Sequence, residues 1–441
     1  MALFDPQSLN AGVRRREVFG WALYDFANSG YTTVVLTAVF NAYFVGVVAQ
    51  GQDWGTLAWT SALAVSNFLV MATMPALGAF VDITGSKKRL LAWTTLGCVG
   101  CTAMLALSGP GDLWLAGCAL VLSNVFYTFG ESLIASYLPE LAKPDAVGRV
   151  SGWGWSFGYV GGMLSLGLCL AYVLHAQAHG QSAREFVPVT MIITAAVYGV
   201  ASLGTFAWLV DRPAAAQPVA GHEQAGLRRT VVQAWIRLWR TLVAAAKFRD
   251  FAWLLACTVA YQAGISVVIA LAAVYAEQAL GFTQLETMTL VFLVNIAAAL
   301  GAFGFGHWQD RIGHRRALAA TLVGWILMAV LAGVAQTTTL FWGAAVLAGL
   351  CMGSSQSAGR AMVALLAPDA QRAEFFGLWT FAVRLSAIVG PMTYGWITWV
   401  SGGNHRLGIL ATGLFFVVGL LLLKPIDLVR GQTASKATLT H

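Results

Sequence analysis

The chain has 441 residues, of which 58% are hydrophobic and only 10% are charged, and its mean hydropathy is +0.71. Soluble domains average about 45–50% apolar and about 25% charged residues, so this composition excludes a water-soluble globule and a disordered chain. The formal charge is +7, but no basic face is interleaved with aromatic residues, so we predict no nucleic-acid partner. A membrane protein accounts for the hydropathy and, through the positive-inside rule, for the basic excess.

Twelve apolar segments, each about long enough to cross the ~30 Å hydrocarbon core of a bilayer, follow one another along the chain. They lack the period-2 alternation of membrane-barrel strands, so each predicts a helix. The sequence therefore predicts an all-α membrane protein with twelve transmembrane helices. The segments are residues 18–45, 57–80, 90–108, 113–138, 150–174, 187–210, 251–277, 286–306, 317–335, 340–365, 374–400 and 406–424.

The distribution of Lys and Arg predicts that both termini face the cytoplasm. In that orientation the cytoplasmic segments hold 22 of the 26 basic residues, and the outer loops hold only Arg184 and Arg406. Three arginines precede the first segment, which runs on without a small-residue cleavage site, so we expect a membrane anchor and not an export signal. The chain has no Asn-x-Ser/Thr acceptor, and we expect a multi-pass protein of a bacterial inner membrane.

Two motifs recur at nearly one spacing and predict a duplicated six-span unit. Pro144–Ala146 recurs at Pro368–Ala370, 224 residues later. A longer motif of glycine, aspartate, glycine and a basic cluster follows the second span and recurs 228 residues later, after the eighth. Its residues are Gly78, Asp82, Gly85, Lys87, Lys88 and Arg89, and then Gly306, Asp310, Gly313, Arg315 and Arg316. We predict one six-helix bundle over residues 1–210 and a second over residues 251–441.

Residues 211–250 lie between the two predicted bundles. This segment begins with two prolines among Ala and Gln, which is typical of a linker. Trp235, Trp239 and Leu242 then recur at helical spacing, with arginines on the other face. The pattern predicts a cytoplasmic amphipathic helix on the anionic inner leaflet. A plain tether between the bundles is the alternative, and the two are compatible.

The repeated loop motif resembles that of the major facilitator superfamily. Within it, the segments Trp21–Ser29, Phe40–Phe44 and Tyr137–Leu141 look like those of the vacuole-effluxer-like family. The resemblance implies two pseudo-symmetric six-helix bundles (the major facilitator fold) that move a small-molecule substrate by alternating access. Relatives of this family export amino acids from fungal vacuoles. In such a fold the motif's aspartate can cap a helix end or pair with an arginine, which makes the motif a candidate gating loop.

Four ionisable residues lie inside predicted spans: Asp25, Glu131, Arg360 and Arg384. Such groups are costly in a bilayer unless they are paired or hydrated, so they mark function. One hypothesis is that Arg384 or Arg360 binds an anionic substrate group, while Asp25 or Glu131 carries a coupling proton. The alternative is that acids and arginines pair across the two halves as gate salt bridges and never touch substrate.

Several uncharged side chains also lie at span depth. Each either orients a substrate by hydrogen bonding or holds helices together, and the sequence leaves both roles open. These residues are Tyr24, Asn28, Gln262, Asn295 and Gln356. The fifth span adds four aromatic residues, which we expect to face lipid or the protein core, with the wall of a cavity as the alternative. They are Trp153, Trp155, Phe157 and Tyr159.

These observations predict a secondary active transporter of a small polar organic solute, such as an amino acid or another carboxylate. We expect coupling to protons, because no phosphate-binding loop is present that would indicate ATP hydrolysis. The chain has no HExxH or comparable catalytic cluster, so we predict no enzyme, no metal site and no cofactor. A transport-inactive receptor or scaffold with the same fold is the alternative. The expected partners are the substrate, protons and the lipid bilayer, and we expect a monomer.

Overall fold

The computed structural model describes residues 4–52, 54–85, 87–212, 248–280, 284–402 and 404–437. Within these ranges twelve helices are long and apolar enough to cross a membrane, which confirms the predicted all-α membrane protein. The predicted amphipathic helix of the linker falls on residues 213–247 and lies outside the described residues.

We number the long helices in chain order. The first half contains α1 (Arg15–Gly30), α2 (Gly55–Thr84), α3 (Lys87–Met104), α4 (Leu113–Ala135), α5 (Val147–Ala178) and α6 (Ala183–Trp208). The second half contains α7 (Arg249–Leu280), α8 (Gln284–Ile312), α9 (His314–Val334), α10 (Thr338–Leu366), α11 (Arg372–Val400) and α12 (His405–Leu423). A shorter helix, α13 (Leu428–Ala437), follows the last span.

The two halves have the same packing plan. In the first half α1 packs against α5 and α6, α4 packs against α2 and α3, and α3 also packs against α6. In the second half α7 packs against α11 and α12, α10 packs against α8 and α9, and α9 also packs against α12. Every one of these neighbour pairs has its counterpart six helices later. The predicted pair of pseudo-symmetric six-helix bundles is therefore confirmed, and we call them the N bundle and the C bundle.

The first span departs from α-helical geometry beyond α1. The chain continues as a π-helix over Tyr31–Ala38, a short α-helix and a second π-helix over Phe44–Val48. The amide of Val39 donates to the carbonyl of Val34 over 2.9 Å, five residues earlier. Such wide turns are rare and often occur at functional sites.

The repeated motif places a glycine with a positive φ angle between two helices in both halves. Gly85, directly after α2, has φ of 62°, and Gly313, directly after α8, has φ of 90°. Glycine adopts such positive φ angles without the penalty that a Cβ imposes. Both turns bring the chain into a helix whose first residues are basic, Lys87–Arg89 or Arg315–Arg316. We call this end of the molecule the basic end.

The bundles contact each other closely at the basic end. There α5 of the N bundle crosses α8 and α10 of the C bundle, and α2 crosses α11. A Cβ added at Gly152 would collide with the carbonyl oxygen of Ala302, and one at Gly78 with that of Ala373. A Cβ at Gly306 would lie 2.9 Å from the carbonyl oxygen of Gly148. Only glycine lets these helices approach so closely.

Candidate functional site

The first buried ion pair joins the bundles through Arg360 of α10. Its Nη1 donates to Oδ2 of Asp25 in α1 over 2.6 Å. Its Nε donates to the hydroxyl of Ser151 over 3.1 Å, and its Nη2 donates to the carbonyl of the same residue over 2.8 Å. All three guanidinium nitrogens are therefore used, and the side chain of Arg360 is only 3% exposed.

Two tryptophans of the N bundle enclose the same guanidinium. Its carbon lies 4.8 Å from the ring centroid of Trp21 and 5.3 Å from that of Trp155, within the range of a cation–π contact. Gly154 provides the space, because a Cβ there would lie 2.5 Å from Asp25 and 2.6 Å from Arg360. Sequence reasoning placed Trp155 in the core or facing lipid and so missed this contact. The alternation of tryptophan and glycine in α5 was the available signal.

The second ion pair joins Arg384 of α11 to Glu131 of α4, with Nη2 donating to Oε2 over 3.1 Å. It is more open than the first pair, because the side chain of Glu131 is 30% exposed and that of Arg384 is 16% exposed. The Nε of Arg384 is buried and has no hydrogen-bond partner in the part of the chain that the structure describes. An anion that enters between the bundles can therefore reach Arg384 more readily than Arg360.

The four charges balance and divide by bundle. Both acids belong to the N bundle and both arginines to the C bundle, so each pair holds the two halves together. Separating a buried pair without replacing a partner leaves an uncompensated charge, which costs about 3–5 kcal/mol. Relative movement of the bundles thus requires a proton, water or a ligand charge at the separated groups.

The predicted polar residues lie in different environments. The hydroxyl of Tyr24 lies 2.9 Å from that of Thr95 and accepts a hydrogen bond from Tyr198 over 3.2 Å, so both partners belong to the N bundle. Asn28, one turn after Asp25, is 4% exposed, and its side chain forms no hydrogen bond with the described residues.

In the C bundle, Gln262 of α7 donates to Gln356 of α10 over 2.8 Å and accepts a longer bond in return. Asn295 donates to the carbonyl of Val291, one turn back in α8. Gln262 and Gln356 therefore lie near Arg360, four residues after Gln356 in the same helix.

Two aromatic donors that sequence reasoning did not select flank this part of α10. A Cβ at Gly359 would lie 2.5 Å from the hydroxyl of Tyr261 and 4.0 Å from the ring of Trp379. That hydroxyl and the indole nitrogen of Trp379 are buried without a hydrogen-bond partner in the described part of the chain. Buried polar groups are normally satisfied, so unpaired donors beside a charged site are candidates to bind a ligand or water.

The repeated motif forms contacts between the bundles at the basic end. Both carboxylate oxygens of Asp310 accept backbone hydrogen bonds of 2.9 Å, from Gly148 and Arg149 at the start of α5. A carboxylate at a helix N-terminus is favoured by the unpaired amides and by the helix dipole. In the N bundle, Lys87 donates to Glu140 over 2.6 Å, and Arg372 of the C bundle lies 3.7 Å from the same carboxylate.

The other motif residues have varied surroundings. Lys88 donates to the carbonyl of Leu209, and Arg315 donates to that of Ile426, so each is bound within its own bundle. Arg89 and Arg316 are exposed. Asp82 lies in the last turn of α2, and its side chain is outside the described residues.

The close crossing of α5 and α8 gives a first testable prediction. Gly152→Val should open the basic end, because overpacking at the Ala302 carbonyl costs about 1–3 kcal/mol only in the closed arrangement. Ser357 is fully buried there, so modification of Ser357→Cys by a maleimide should be about tenfold faster in the Gly152→Val background. Gly167→Val in the same helix is the matched control, since no atom lies near its Cβ position. Equal modification rates in both backgrounds would contradict the prediction.

Comparison with known proteins places the chain in a family. The model of the vacuole effluxer Atg22-like family matches residues 56–436. An uncharacterized major-facilitator-type transporter of Bacillus subtilis, YxiO, is 25% identical over 420 residues, which cover 91% of this chain and 93% of that protein. Autophagy-related protein 22-1 of Aspergillus fumigatus is 24% identical over 306 residues, 64% of this chain. The alignment spans 49% of the length of that fungal relative.

Solved structures share the fold at low sequence identity. The human organic anion transporter MFSD10 superimposes with a TM-score of 0.70 at 16% identity, covering 93% of this chain and 99% of that one. The proton:xylose symporter XylE superimposes with a TM-score of 0.74 at 13% identity, covering 96% and 98%. These relatives and neighbours are transporters and not enzymes. The chain therefore belongs to the vacuole effluxer Atg22-like family of major facilitator transporters, and it is a multi-pass secondary transporter.

Proposed function

We propose that the protein moves a small polar organic molecule with a carboxylate group, such as an amino acid or another carboxylate, across a membrane by alternating access. The observation that carries this proposal is the half-open Arg384–Glu131 pair between the bundles. A planar guanidinium with an unused donor is well suited to a carboxylate, which it can bind through two parallel hydrogen bonds. Each guanidinium nitrogen of Arg360 already donates one hydrogen bond within the protein, so Arg360 serves in the proposal as a second positive charge.

The basic end faces the cytoplasm in this proposal, as the positive-inside rule predicts. The structure would then be a state closed towards the cytoplasm, with both termini on that side. The closed gate would consist of three features: the Asp25–Arg360 pair, the Asp310 cap formed by its hydrogen bonds to the start of α5, and the glycine crossings at which helices of the two bundles approach closely. A bacterial inner membrane and a monomeric protein remain our expectations.

The proposal gives the remaining polar residues separate roles. Asn28 and the linked pair Gln262–Gln356 would orient the polar part of the substrate, since they lie beside the charged groups. Asn295 would join them after releasing its bond to the α8 backbone. We assign Tyr24 to helix packing, because both hydroxyl partners of Tyr24 lie inside the N bundle.

Proton coupling follows from competition for Arg384. A substrate carboxylate that binds Arg384 displaces Glu131, and the displaced carboxylate is then expected to take up a proton. A monovalent anion and one proton would thus cross together without net charge, whereas a zwitterionic amino acid and one proton would carry one positive charge. Asp25 is the second candidate for the proton, but it has a close and enclosed partner in Arg360.

The competition predicts a pH dependence with a definite sign. Substrate affinity should rise as the pH falls, because protonation of Glu131 removes the competitor for Arg384. Glu131→Gln should make the affinity high and flatten its pH profile, whereas Asp25→Asn should keep a sloping profile. Binding can be followed by thermal shift of the purified variants over a pH series. A flat profile for Asp25→Asn beside a sloping one for Glu131→Gln would transfer the proton role to Asp25.

Counterflow in proteoliposomes tests the transport proposal itself. Vesicles preloaded with one unlabelled amino acid or monocarboxylate should accumulate the same labelled compound, and a pH-sensitive dye should report proton movement. The fungal relatives belong to a family of vacuole effluxers, and a structural neighbour transports organic anions, so these compound classes come first. Folded protein that gives no counterflow with any carboxylate would favour a receptor or scaffold.

A further inference from the structure

A groove opens between α3 and α6 on the side of the N bundle that faces away from the C bundle. Both helices pack chiefly on helices of their own bundle. The groove has a volume of about 510 Å³, and Thr95 and Ser202 are among the residues that line it. Two of its leucines, Leu96 and Leu203, are 63% and 64% exposed. A pocket of this size falls within the range of about 300–1,000 Å³ that holds small ligands.

The missing side chain of Gly199 keeps the groove open. A Cβ at Gly199 would contact only the Val99 side chain, at 3.8 Å. The surface of the groove is almost entirely apolar, and both helices are long and apolar enough to span a membrane. The molecules that surround such a surface are lipids, and an acyl chain is the ligand whose chemistry matches an open apolar groove.

The positively charged residue Arg89 lies at one mouth of the groove. Arg89, Ala92, Leu96, Val99 and Ala103 recur every three or four residues and therefore share one face of α3. The last four of these residues line the groove, so the first lies on the same stripe at the basic end. The Arg89 side chain is exposed and has no ion-pair or hydrogen-bond partner among the described residues.

The neighbouring basic side chains are already occupied, in contrast to Arg89. Lys88 donates to the carbonyl of Leu209 over 2.6 Å, and Arg212, which follows α6, donates to Glu17 over 2.6 Å. Trp93, one turn from Arg89, is 65% exposed, as is common for aromatic residues at a membrane interface. Among the described residues, the mouth of the groove thus offers a basic side chain, Arg89, that has no ion-pair partner.

We propose that this groove is a binding site for an anionic phospholipid, with one acyl chain between α3 and α6 and the phosphate at Arg89. The site is linked to the first span through Thr95, which lines the groove. Thr95 lies 2.9 Å from the hydroxyl of Tyr24, the residue before Asp25. A chain in the groove therefore contacts a side chain that is bonded to the first span.

Photo-crosslinking of the full-length protein in phosphatidylcholine vesicles tests the site. The vesicles contain a trace of either photoactivatable phosphatidylglycerol or photoactivatable phosphatidylcholine with the same acyl chain, and crosslinked peptides are mapped. We expect phosphatidylglycerol to label the groove faces of α3 and α6 about fivefold more than phosphatidylcholine does, the gain of one basic contact at headgroup depth. Equal labelling by both probes, or labelling spread evenly over the other spans, would overturn the proposal.

Two variants, each with a matched control, test the binding of the acyl chain and the binding of the headgroup separately. Gly199→Trp fills the groove and should lower labelling by both probes, whereas Gly117→Trp on α4, which also has open space at its Cβ position, should not. Arg89→Gln should remove only the preference for phosphatidylglycerol, and Arg316→Gln, an exposed basic residue of the matching motif, should keep it. A preference that survives Arg89→Gln, or labelling that survives Gly199→Trp, contradicts the site. Gel filtration checks that each variant is folded.

Discussion

Replacing Arg384 by alanine should lower the rate of anion transport about a hundredfold while the protein still folds. The reason is the loss of a charged hydrogen bond to the substrate carboxylate, which costs about 2–5 kcal/mol. Folding should survive, because Glu131, the partner that remains, is 30% exposed and can bind water or a proton. The measurement is initial uptake into proteoliposomes, normalised to the folded protein recovered.

A matched series of variants shows whether transport depends on the charge of Arg384 or on its two parallel hydrogen-bond donors. Arg384→Lys keeps the charge but cannot bind a carboxylate through two parallel donors, so we expect an intermediate loss. Glu131→Ala frees Arg384 without removing it, and it should keep anion binding while losing the dependence on pH. Normal transport by Arg384→Ala would remove Arg384 from the substrate site and leave the pair as a gate salt bridge.

Much of the fold could be predicted because it follows from local patterns. Apolar stretches of membrane length predict spans, and a repeat that places Gly85 and Gly313 in matching loops between helices predicts two related halves. The helix ends were less predictable, because polar residues extend the helices past the lipid. The fifth span was predicted over residues 150–174, whereas α5 runs from Val147 to Ala178. Nothing in the sequence indicates the π-helix over Tyr31–Ala38.

The charged residues of the site could be predicted from the sequence, but which acid pairs with which arginine could not. Rarity of charge within apolar spans was enough to select Asp25, Glu131, Arg360 and Arg384. Asp25 and Arg360 are 335 positions apart, however, and their contact depends on how two bundles dock. The same limit explains why Trp155 was missed, since its neighbour is an arginine of the other bundle. Both ion pairs form across the bundles, and their roles in binding or gating stay predictions.

Arg360→Gln should have the second large effect, this time on conformation. The Asp25–Arg360 pair is buried and hydrogen-bonded in the closed basic end, and removal of one partner leaves Asp25 uncompensated. The variant should destabilise the closed state by about 3–5 kcal/mol relative to the open state. The open state is less affected, because Asp25 can contact water when the bundles separate. The closed population should therefore decrease about a hundredfold or more relative to the open one.

Spin-label distances across the basic end measure this shift directly. Labels at Asp145→Cys and Arg316→Cys lie on exposed positions of opposite bundles, and Cys118→Ser removes the exposed native thiol. We expect a short distance in the parent and a longer one in Arg360→Gln. Asp25→Asn with Arg360→Gln should partly restore the short distance, because two neutral amides can hydrogen-bond without a buried charge. Gly154→Ala, whose methyl group crowds both partners, should lengthen the distance as well. An unchanged short distance in Arg360→Gln would show that the glycine crossings and the Asp310 cap hold the basic end closed without this pair.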